Sequence, residues 1–157
     1  MSAVALRQVE TTDLDAIFEQ MRDPESVRMA AFTAKNPSDR SAFDAHMKKI
    51  MSSTEATLLA ITNDDRLVGT IGSFVSDGMR EVTFWIDRAW WGQGIASQAL
   101  AQLLDTESVR PLRARAASDN AGSLRVLQKA GFRTLGTEVS YAPGRGTEIE
   151  ETILQLL

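Results

Sequence analysis

The sequence predicts a single domain of the α/β (α+β) class over residues 1–157, in which a mixed, mostly antiparallel sheet carries helices on both faces. Three observations support this prediction. The chain has 157 residues, of which 43% are apolar, enough to build one core. Predicted strands and helices follow the order β-α-α-β-β-β-α-β-α-β-β. Residues 81–117 contain strand, loop, helix and strand, the order of a βαβ unit with two parallel strands at its centre.

The first half of the chain predicts one strand, two long helices with a short helical turn between them, and three further strands. Apolar residues recur every three or four positions after Asp13 and again after Asp39, which indicates amphipathic helices. Pro24 begins the short turn, and Asp77-Gly78 is a strong hairpin signal. The predicted strands are Ala3–Val9, Ala56–Thr62, Leu67–Ser76 and Glu81–Asp87.

The second half predicts the central βαβ unit, another helix and two closing strands. A helix with an apolar stripe follows the glycines at Gly92 and Gly94, and a second helix begins after Asn120 and ends at Gly131. A Pro-Gly turn separates the last two strands. The predicted strands are Pro111–Ala117, Arg133–Tyr141 and Thr147–Leu156.

The composition excludes several kinds of chemistry. The chain has no cysteine, which excludes disulfides, a thiolate nucleophile and cysteine-ligated metals, and its one histidine, His46, is too few for a histidine metal centre. We therefore expect no metal. The net charge of −4 disfavours nucleic acid and anionic membranes as partners. Since no apolar run is long enough to span a bilayer and the first residues lack an export pattern, we expect a cytoplasmic protein.

The strand over residues 81–87 alternates between two faces. Its three apolar residues at even positions would point into the core, whereas Glu81, Thr83 and Trp85 would lie on the opposite face. A face that is too polar for a core and yet carries a tryptophan is typical of a cleft wall. A half-exposed surface strand explains the same pattern equally well.

The segment from Gly92 to Ser97 has the composition of a phosphate site. Glycines between a strand and a helix allow several backbone N–H groups to converge, and the helix N-terminus adds partial positive charge. A purely structural turn is the alternative for a lone Gly-x-Gly. The spacing lacks the third glycine of dinucleotide folds and the Gly-Lys-Ser/Thr of a P-loop. The segment therefore predicts a phosphate-bearing ligand that neither of those two motifs would hold.

A second group of polar residues begins the last predicted helix. Asn120 and Ser123 are three positions apart and would share one face near the helix start, where capping the helix is the alternative role. Arg125 and Lys129 are four positions apart, which suits either a solvated face or a contact with phosphate. Neither pair identifies a ligand by itself.

These segments, in this order and at this separation, resemble the GNAT-type N-acetyltransferase superfamily, and more narrowly its branch of ribosomal-protein N-terminal alanine acetyltransferases. The resemblance implies the GNAT-like mixed sheet and acetyl-CoA as co-substrate, without a metal. Three positions depart from the pattern. Trp91 stands where the wider superfamily prefers Gln or Arg, although tryptophan is common in this branch. Gln98 stands where the branch often has Glu, and Leu127 where many superfamily members have a Tyr acid. The matching residues are Leu6-Arg7, Asp13, Asp23-Pro24-Glu25, Glu81 to Asp87, Trp91 to Ala96 and Asn120 to Phe132.

The resemblance implies a coenzyme A site built from the glycine loop, the strand before it and the helix after Asn120. Backbone amides of the loop would hold the pyrophosphate, and the pantetheine arm would lie against the strand at Trp85. Phe32 and Trp85 are the candidate substrate residues. The candidate cofactor-binding residues are Trp85, Ile86, Trp91, Gly92, Gln93, Gly94, Ile95, Ala96, Ser97, Asn120, Ser123, Arg125 and Lys129.

Amine acetylation also needs groups that move protons, because alkyl amines resemble lysine, whose pKa is about 10.4. Glu81 is the candidate base, acting directly or through water, and an exposed strand-end carboxylate is its alternative role. Ser123 is the candidate acid for the departing thiolate, and Tyr141, the only tyrosine, is the alternative acid.

The resemblance thus implies an N-acetyltransferase that moves an acetyl group from acetyl-CoA to a primary amine by direct attack in a ternary complex. The acceptor would be a small-molecule amine or the N-terminus of a peptide or protein. A non-catalytic coenzyme A-binding sensor or partner module of the same fold is the alternative. A homodimer is compatible with the resemblance, since relatives form both monomers and dimers.

Overall fold

The computed structural model describes residues 3–157 and places seven strands of this part in one sheet. The strands are β1 (Val4–Gln8), β2 (Thr57–Asn63), β3 (Arg66–Ser76), β4 (Met79–Ile86), β5 (Leu112–Ala117), β6 (Arg133–Ala142) and β7 (Thr147–Leu156). The α-helices are α1 (Leu14–Arg22), α2 (Pro24–Ala30), α3 (Arg40–Ser52), α4 (Ile95–Thr106) and α5 (Ala121–Lys129). None of the helices in residues 3–157 is long and apolar enough to cross a membrane.

The sheet runs in the order β1-β2-β3-β4-β5-β7-β6, and every neighbouring pair is antiparallel except β4 and β5. This confirms the predicted fold class, a mixed sheet with one central parallel pair. The crossover from β4 to β5 runs through α4, as the βαβ pattern predicted. Asp77 and Gly78, with φ angles of +51° and +75°, form the predicted tight turn between β3 and β4.

The main core lies between one face of the sheet and helices α4 and α5. Ile95, Leu100 and Leu103 of α4 are at most 2% exposed. They share one cluster with Val82 of β4 and Leu112 of β5. Because side chains alternate along a strand, residues 82, 84 and 86 of β4 enter this core and residues 81, 83 and 85 face the other way, as predicted.

Helices α1, α2 and α3 lie on the opposite side of the sheet. They contact β3, β5 and β2 respectively. The indole Nε1 of Trp85 in β4 donates a hydrogen bond to the Gln20 carbonyl of α1 at 3.1 Å. Thr83, two residues earlier on the same face, is exposed. The three helices therefore leave part of this face uncovered next to Trp85.

Strands β4 and β5 separate partway along their length. Their parallel ladder joins Arg80–Val82 to Leu112–Ala114 and stops there, while β4 continues to Ile86. β5 stays paired with β7 as far as Ala117. Within residues 3–157, the backbone of Thr83–Ile86 thus has no ladder partner on the β5 side, and a wedge-shaped gap opens between the two strands.

Candidate cofactor and active site

A cavity of about 540 Å³ opens at the wide end of the gap between β4 and β5. Its walls come from the end of β4, the loop and first turn of α4, the first turns of α5, and α2. Segments that are far apart in the chain thus surround one space. The lining residues are Phe84–Ile86, Trp90–Gly92, Gly94–Ser97, Asp119–Ser123, Arg125, Val126, Lys129, Ser26, Met29 and Ala30.

The loop before α4 has the backbone geometry of an anion site. Gly92 and Gly94 adopt φ angles of +77° and +75°, a region that residues with side chains rarely adopt. The first hydrogen bond of α4 runs from the Gln98 N–H to the Gly94 carbonyl at 3.2 Å. The amides of residues 95–97 therefore have no partner within the helix, and the partial positive charge of the helix N-terminus lies at the cavity wall.

The first turn of α5 forms a second wall. Oδ1 of Asn120 accepts a hydrogen bond from the Ser123 N–H at 3.3 Å, and Nδ2 of Asn120 donates to the Met29 carbonyl of α2 at 3.4 Å. Asn120 therefore caps the helix, the alternative that the spacing left open, and it lines the cavity as well. The Ser123 side chain is half-buried in the same wall.

Hydrogen bonds orient two indole rings at the cavity wall. Nε1 of Trp91 donates to the Ile86 carbonyl at 2.9 Å, and Nε1 of Trp85 is bonded to Gln20 of α1. Trp91 is 39% exposed, whereas Trp85 is half-buried. The two rings therefore have fixed positions although only one of them is well covered by protein.

Charged side chains of both signs border the cavity. Nη1 and Nη2 of Arg145 each donate to a carboxylate oxygen of Asp119 at 2.8 Å, and this guanidinium holds the pKa of Asp119 below its usual range. Arg125 and Lys129 on α5 form no ion pair with any described residue. Residues 3–157 contain no group of three or more His, Asp or Glu side chains that could hold a metal ion.

The cavity brings together the predicted cofactor-binding residues with one exception, Gln93, whose side chain is exposed in the loop. The sequence analysis did not single out Asp119 or Ser26 of α2. Asp23-Pro24-Glu25 at the start of α2 matched the family pattern without indicating a cofactor contact, and packing of α2 against β5 brings the helix to the cavity. Trp90 could have been predicted as a cavity residue from the sequence, because it belongs to the same glycine-containing loop.

Glu81 lies outside the cavity lining, at the closed end of the gap, where β4 and β5 are still paired. Its Oε1 accepts a hydrogen bond from Nε of Arg115 at 3.1 Å, and its side chain is only 12% exposed. Glu81 is therefore not the exposed strand-end carboxylate considered as the alternative. At about 3.3 Å per residue, it lies roughly 10 Å along β4 from Phe84 in the cavity wall.

Phe32 and Tyr141 also lie outside the cavity lining. Phe32 packs against the small buried cluster of Ala31, Ala117 and Ala142. Tyr141 is 60% exposed on β6, one of the two edge strands of the sheet. Of the two candidate acids, only Ser123 lines the cavity.

The model of the acetyltransferase (GNAT) domain family matches residues 4–133. The chain therefore belongs to the GNAT acetyltransferase family, and it is an acetyl-CoA-dependent N-acetyltransferase. This confirms the family that the three spaced motifs indicated.

The chain is similar to several individual proteins. An uncharacterized N-acetyltransferase, p20 of Bacillus licheniformis, is 23% identical, and the match covers 98% of this chain and 92% of that protein. RimJ of Mycobacterium smegmatis, solved with a CoA disulfide, has a TM-score of 0.81 at 20% identity, covering 98% and 81% of the two chains. The spermidine N-acetyltransferase of Vibrio cholerae, solved with CoA and spermine, has a TM-score of 0.80 at 16% identity, covering 97% and 95%. These structural likenesses show a shared fold.

Proposed function

We propose that this acetyltransferase moves the acetyl group of acetyl-CoA to a primary amine by direct attack in a ternary complex, within one domain of residues 1–157. One observation carries the proposal: the unpartnered amides at the start of α4 and the gap between β4 and β5 open into the same cavity. The amides suit a diphosphate, and the gap suits a narrow flexible arm. Coenzyme A combines these two parts in one molecule.

The charges and backbone geometry of the cavity support coenzyme A as its ligand. The amides of residues 95–97 would bind the pyrophosphate, and the glycine turn leaves room for its close approach. Arg125 and Lys129 line the same cavity and would contact the 3′-phosphate. Asn120 and Trp85 would border the pantetheine arm.

The unpaired part of β4 supplies a donor for the reacting carbonyl. When bound, acetyl-CoA supplies a thioester carbonyl for attack and a thiolate that leaves. The backbone of Thr83–Ile86 has no ladder partner toward β5 within the described chain, so an N–H near Phe84 or Trp85 would donate to the carbonyl oxygen. One donor of this kind is worth about 2.7–4 kcal/mol of barrier lowering.

Two side chains would move the protons. The attacking amine loses one proton as the N–C bond forms, and Glu81 would accept it through water, because Glu81 lies roughly 10 Å from Phe84 along β4. Ser123 would donate to the thiolate as the C–S bond breaks, since its side chain lines the cavity. Glu81 would then release its proton to water and Ser123 would regain one from water, so that both side chains are restored and the transfer balances: the amine has lost one proton and the thiolate has gained one.

The acceptor would enter from the sheet face that carries Trp85, with Phe32 at its border. Helices α1 to α3 leave part of this face uncovered, and Thr83 is exposed there. Structural relatives differ in their acceptors: RimL is named a ribosomal L7/L12 α-N-protein acetyltransferase, and the Vibrio cholerae enzyme acts on spermidine. A protein N-terminus and a small-molecule amine are therefore both candidate acceptors.

An acceptor panel tests the proposed function. The protein is incubated with acetyl-CoA and peptides that begin with Ala or Ser, spermidine, or small aliphatic amines, and free thiol is measured over time. We expect thiol release with at least one class, and a product heavier by one acetyl group in mass spectrometry. Glu81→Gln should lower kcat by at least about 100-fold and leave the Kd for CoA almost unchanged. Tight CoA binding without thiol release from any acceptor would contradict the proposal.

A further inference from the structure

Arg115 of β5 lies at the centre of a cluster of carboxylates on the sheet face opposite the main core. Its Nε donates to Oε1 of Glu81 at 3.1 Å. Its Nη1 donates to Oε1 of Glu151 at 3.2 Å and to Oε2 of Glu138 at 3.3 Å. We call these four residues the Arg115 cluster. It joins the candidate base on β4 to carboxylates on β6 and β7.

The strand register makes this guanidinium necessary. Glu138 of β6 and Glu151 of β7 are direct cross-strand partners, and like charges placed directly opposite each other destabilise a sheet. Glu151 is also the partner of Ala117 across the β5–β7 ladder, which puts it on the same face as Arg115, two residues away. One cation thus offsets three carboxylates.

Burial makes Arg115 important for compensating the negative charge of the cluster. The side chains of Glu81 and Glu151 are 12% and 9% exposed, whereas Glu138 is 52% exposed. Burial raises the pKa of Glu151, and the hydrogen bond from Arg115 lowers it. Removing one partner of a shielded ion pair leaves the remaining charge without compensation, which is costly.

We propose that Arg115 is a positioning residue for acetyl transfer, which holds a positive charge against the Glu81 carboxylate and turns its free oxygen toward the acceptor side. This inference rests on the proposed function, because it takes Glu81 as the base. Within the described residues only Oε1 of Glu81 accepts a hydrogen bond, so Oε2 is free to receive the proton that the amine loses. The guanidinium remains protonated throughout and takes no part in proton transfer.

The same strand offers a matched control. Arg113 lies two residues before Arg115 on the same face and is the ladder partner of Glu81. Its Nε donates to Oε1 of Gln155 at 3.2 Å and not to a carboxylate. An effect of positive charge alone would therefore be seen at both arginines, whereas an effect of the hydrogen-bonded pair would be seen only at Arg115.

The pH dependence of kcat/KM tests the inference, with acetyl-CoA and the acceptor of the panel that releases thiol fastest. Arg115→Met should move the acid limb to higher pH, because a nearby positive charge favours the ionised form of a carboxylate. Arg115→Lys should move it less, and Arg113→Met least. CoA affinity and thermal unfolding report whether each variant is folded. If Arg115→Met does not fold, the double variant Arg115→Met/Glu151→Gln is used in its place, because it has one fewer unpaired carboxylate.

Two outcomes overturn the inference. One is a loss of rate in Arg115→Met that is equal at every pH, and the other is an equal shift in Arg113→Met. A ¹³C NMR titration of protein labelled at its glutamate carboxyl groups distinguishes a failure of the Arg115 inference from a failure of the proposed function. If Glu81→Gln is fully active while loss of Arg115 still moves the Glu81 titration, Glu81 is not the base. If loss of Arg115 leaves that titration unchanged, Arg115 does not hold Glu81.

Discussion

At the scale of single residues, the backbone and the side chain of Ser123 have different roles. Its N–H donates to the Asn120 cap at 3.3 Å and thereby helps to begin α5. Its hydroxyl accepts and donates no hydrogen bond within the described residues and lines the cavity. A substitution that keeps the backbone can therefore remove the proposed acid and leave the helix start intact.

We predict that Ser123→Ala lowers kcat by about 10- to 100-fold, because a hydrogen bond to a charged group is worth about 1.5–3 kcal/mol. The KM for acetyl-CoA should change little, since the amides of α4 would supply most of the binding. Steady-state kinetics with the best panel acceptor measures both. Ser41→Ala, an exposed serine in the first turn of α3, is the control. Equal rates for Ser123→Ala and wild type would mean that another group or water acts as the acid.

At the scale of elements, the glycine turn and α4 form one unit. Gly94 is the N-cap residue of α4 and is left-handed, so the turn that ends the loop also directs the first amides of the helix. A Cβ on Gly94 would have space, since the nearest atom is 3.9 Å away. The constraint at this position is therefore the backbone angle, not crowding.

We predict that Gly94→Val weakens CoA binding by at least about 100-fold. A side chain disfavours the left-handed turn, and the amides of the first turn of α4 would then point in the wrong direction. Each amide hydrogen bond to a phosphate contributes about 1.5 kcal/mol or more to binding. Isothermal titration calorimetry measures the Kd. Gly78→Val is a closely matched control: Gly78 has the same φ of +75° and open space around it, but lies in the β3–β4 turn. Both variants should lose similar stability, and only Gly94→Val should lose affinity. Wild-type affinity in Gly94→Val would place the phosphate site elsewhere.

At the scale of the whole molecule, the β6–β7 turn supports the wall of the cavity from behind. The Gly144 N–H donates to the Ala31 carbonyl at 2.7 Å. Ala31 has a φ of +66° and is fully buried, and its strained turn is closed by a hydrogen bond from the Phe32 N–H to the Ala30 carbonyl at 2.7 Å. Ala30 lines the cavity, so a contact between distant parts of the chain holds one of its walls.

We predict that Gly144→Ala lowers the free energy of unfolding by about 1–3 kcal/mol, because overpacking forces the backbone to move. A Cβ there would lie 2.5 Å from the Val27 carbonyl oxygen and 2.9 Å from that of Ala31. Urea unfolding measures the loss. Gly136→Ala on β6 meets nothing within 4 Å and should be neutral or slightly stabilising. The close approach would be unimportant if both variants unfolded at the same urea concentration.

A cytoplasmic location and a homodimer stay predictions of the sequence at this scale.

Local patterns were sufficient for the elements and for most residues of the cavity wall. Alternation along residues 81–87 predicted which side chains of β4 enter the core, and it was confirmed because that face packs on α4. The segments Gly92–Ser97 and Asn120–Lys129 predicted most of the cavity wall, because helix starts with glycine or a cap expose amides wherever the helix lies.

The sequence by itself determined the family, the order of strands and helices, and most of the segments that surround the cavity, since all three depend on spacing within short stretches. Only the tertiary structure decided what lies beside them. Arg115 meets Glu81, α2 closes the cavity, and Phe32 and Tyr141 lie outside it because of strand register and packing between distant segments. Such contacts depend on how faces meet in space, and a one-residue change of register would place the same side chains on opposite faces.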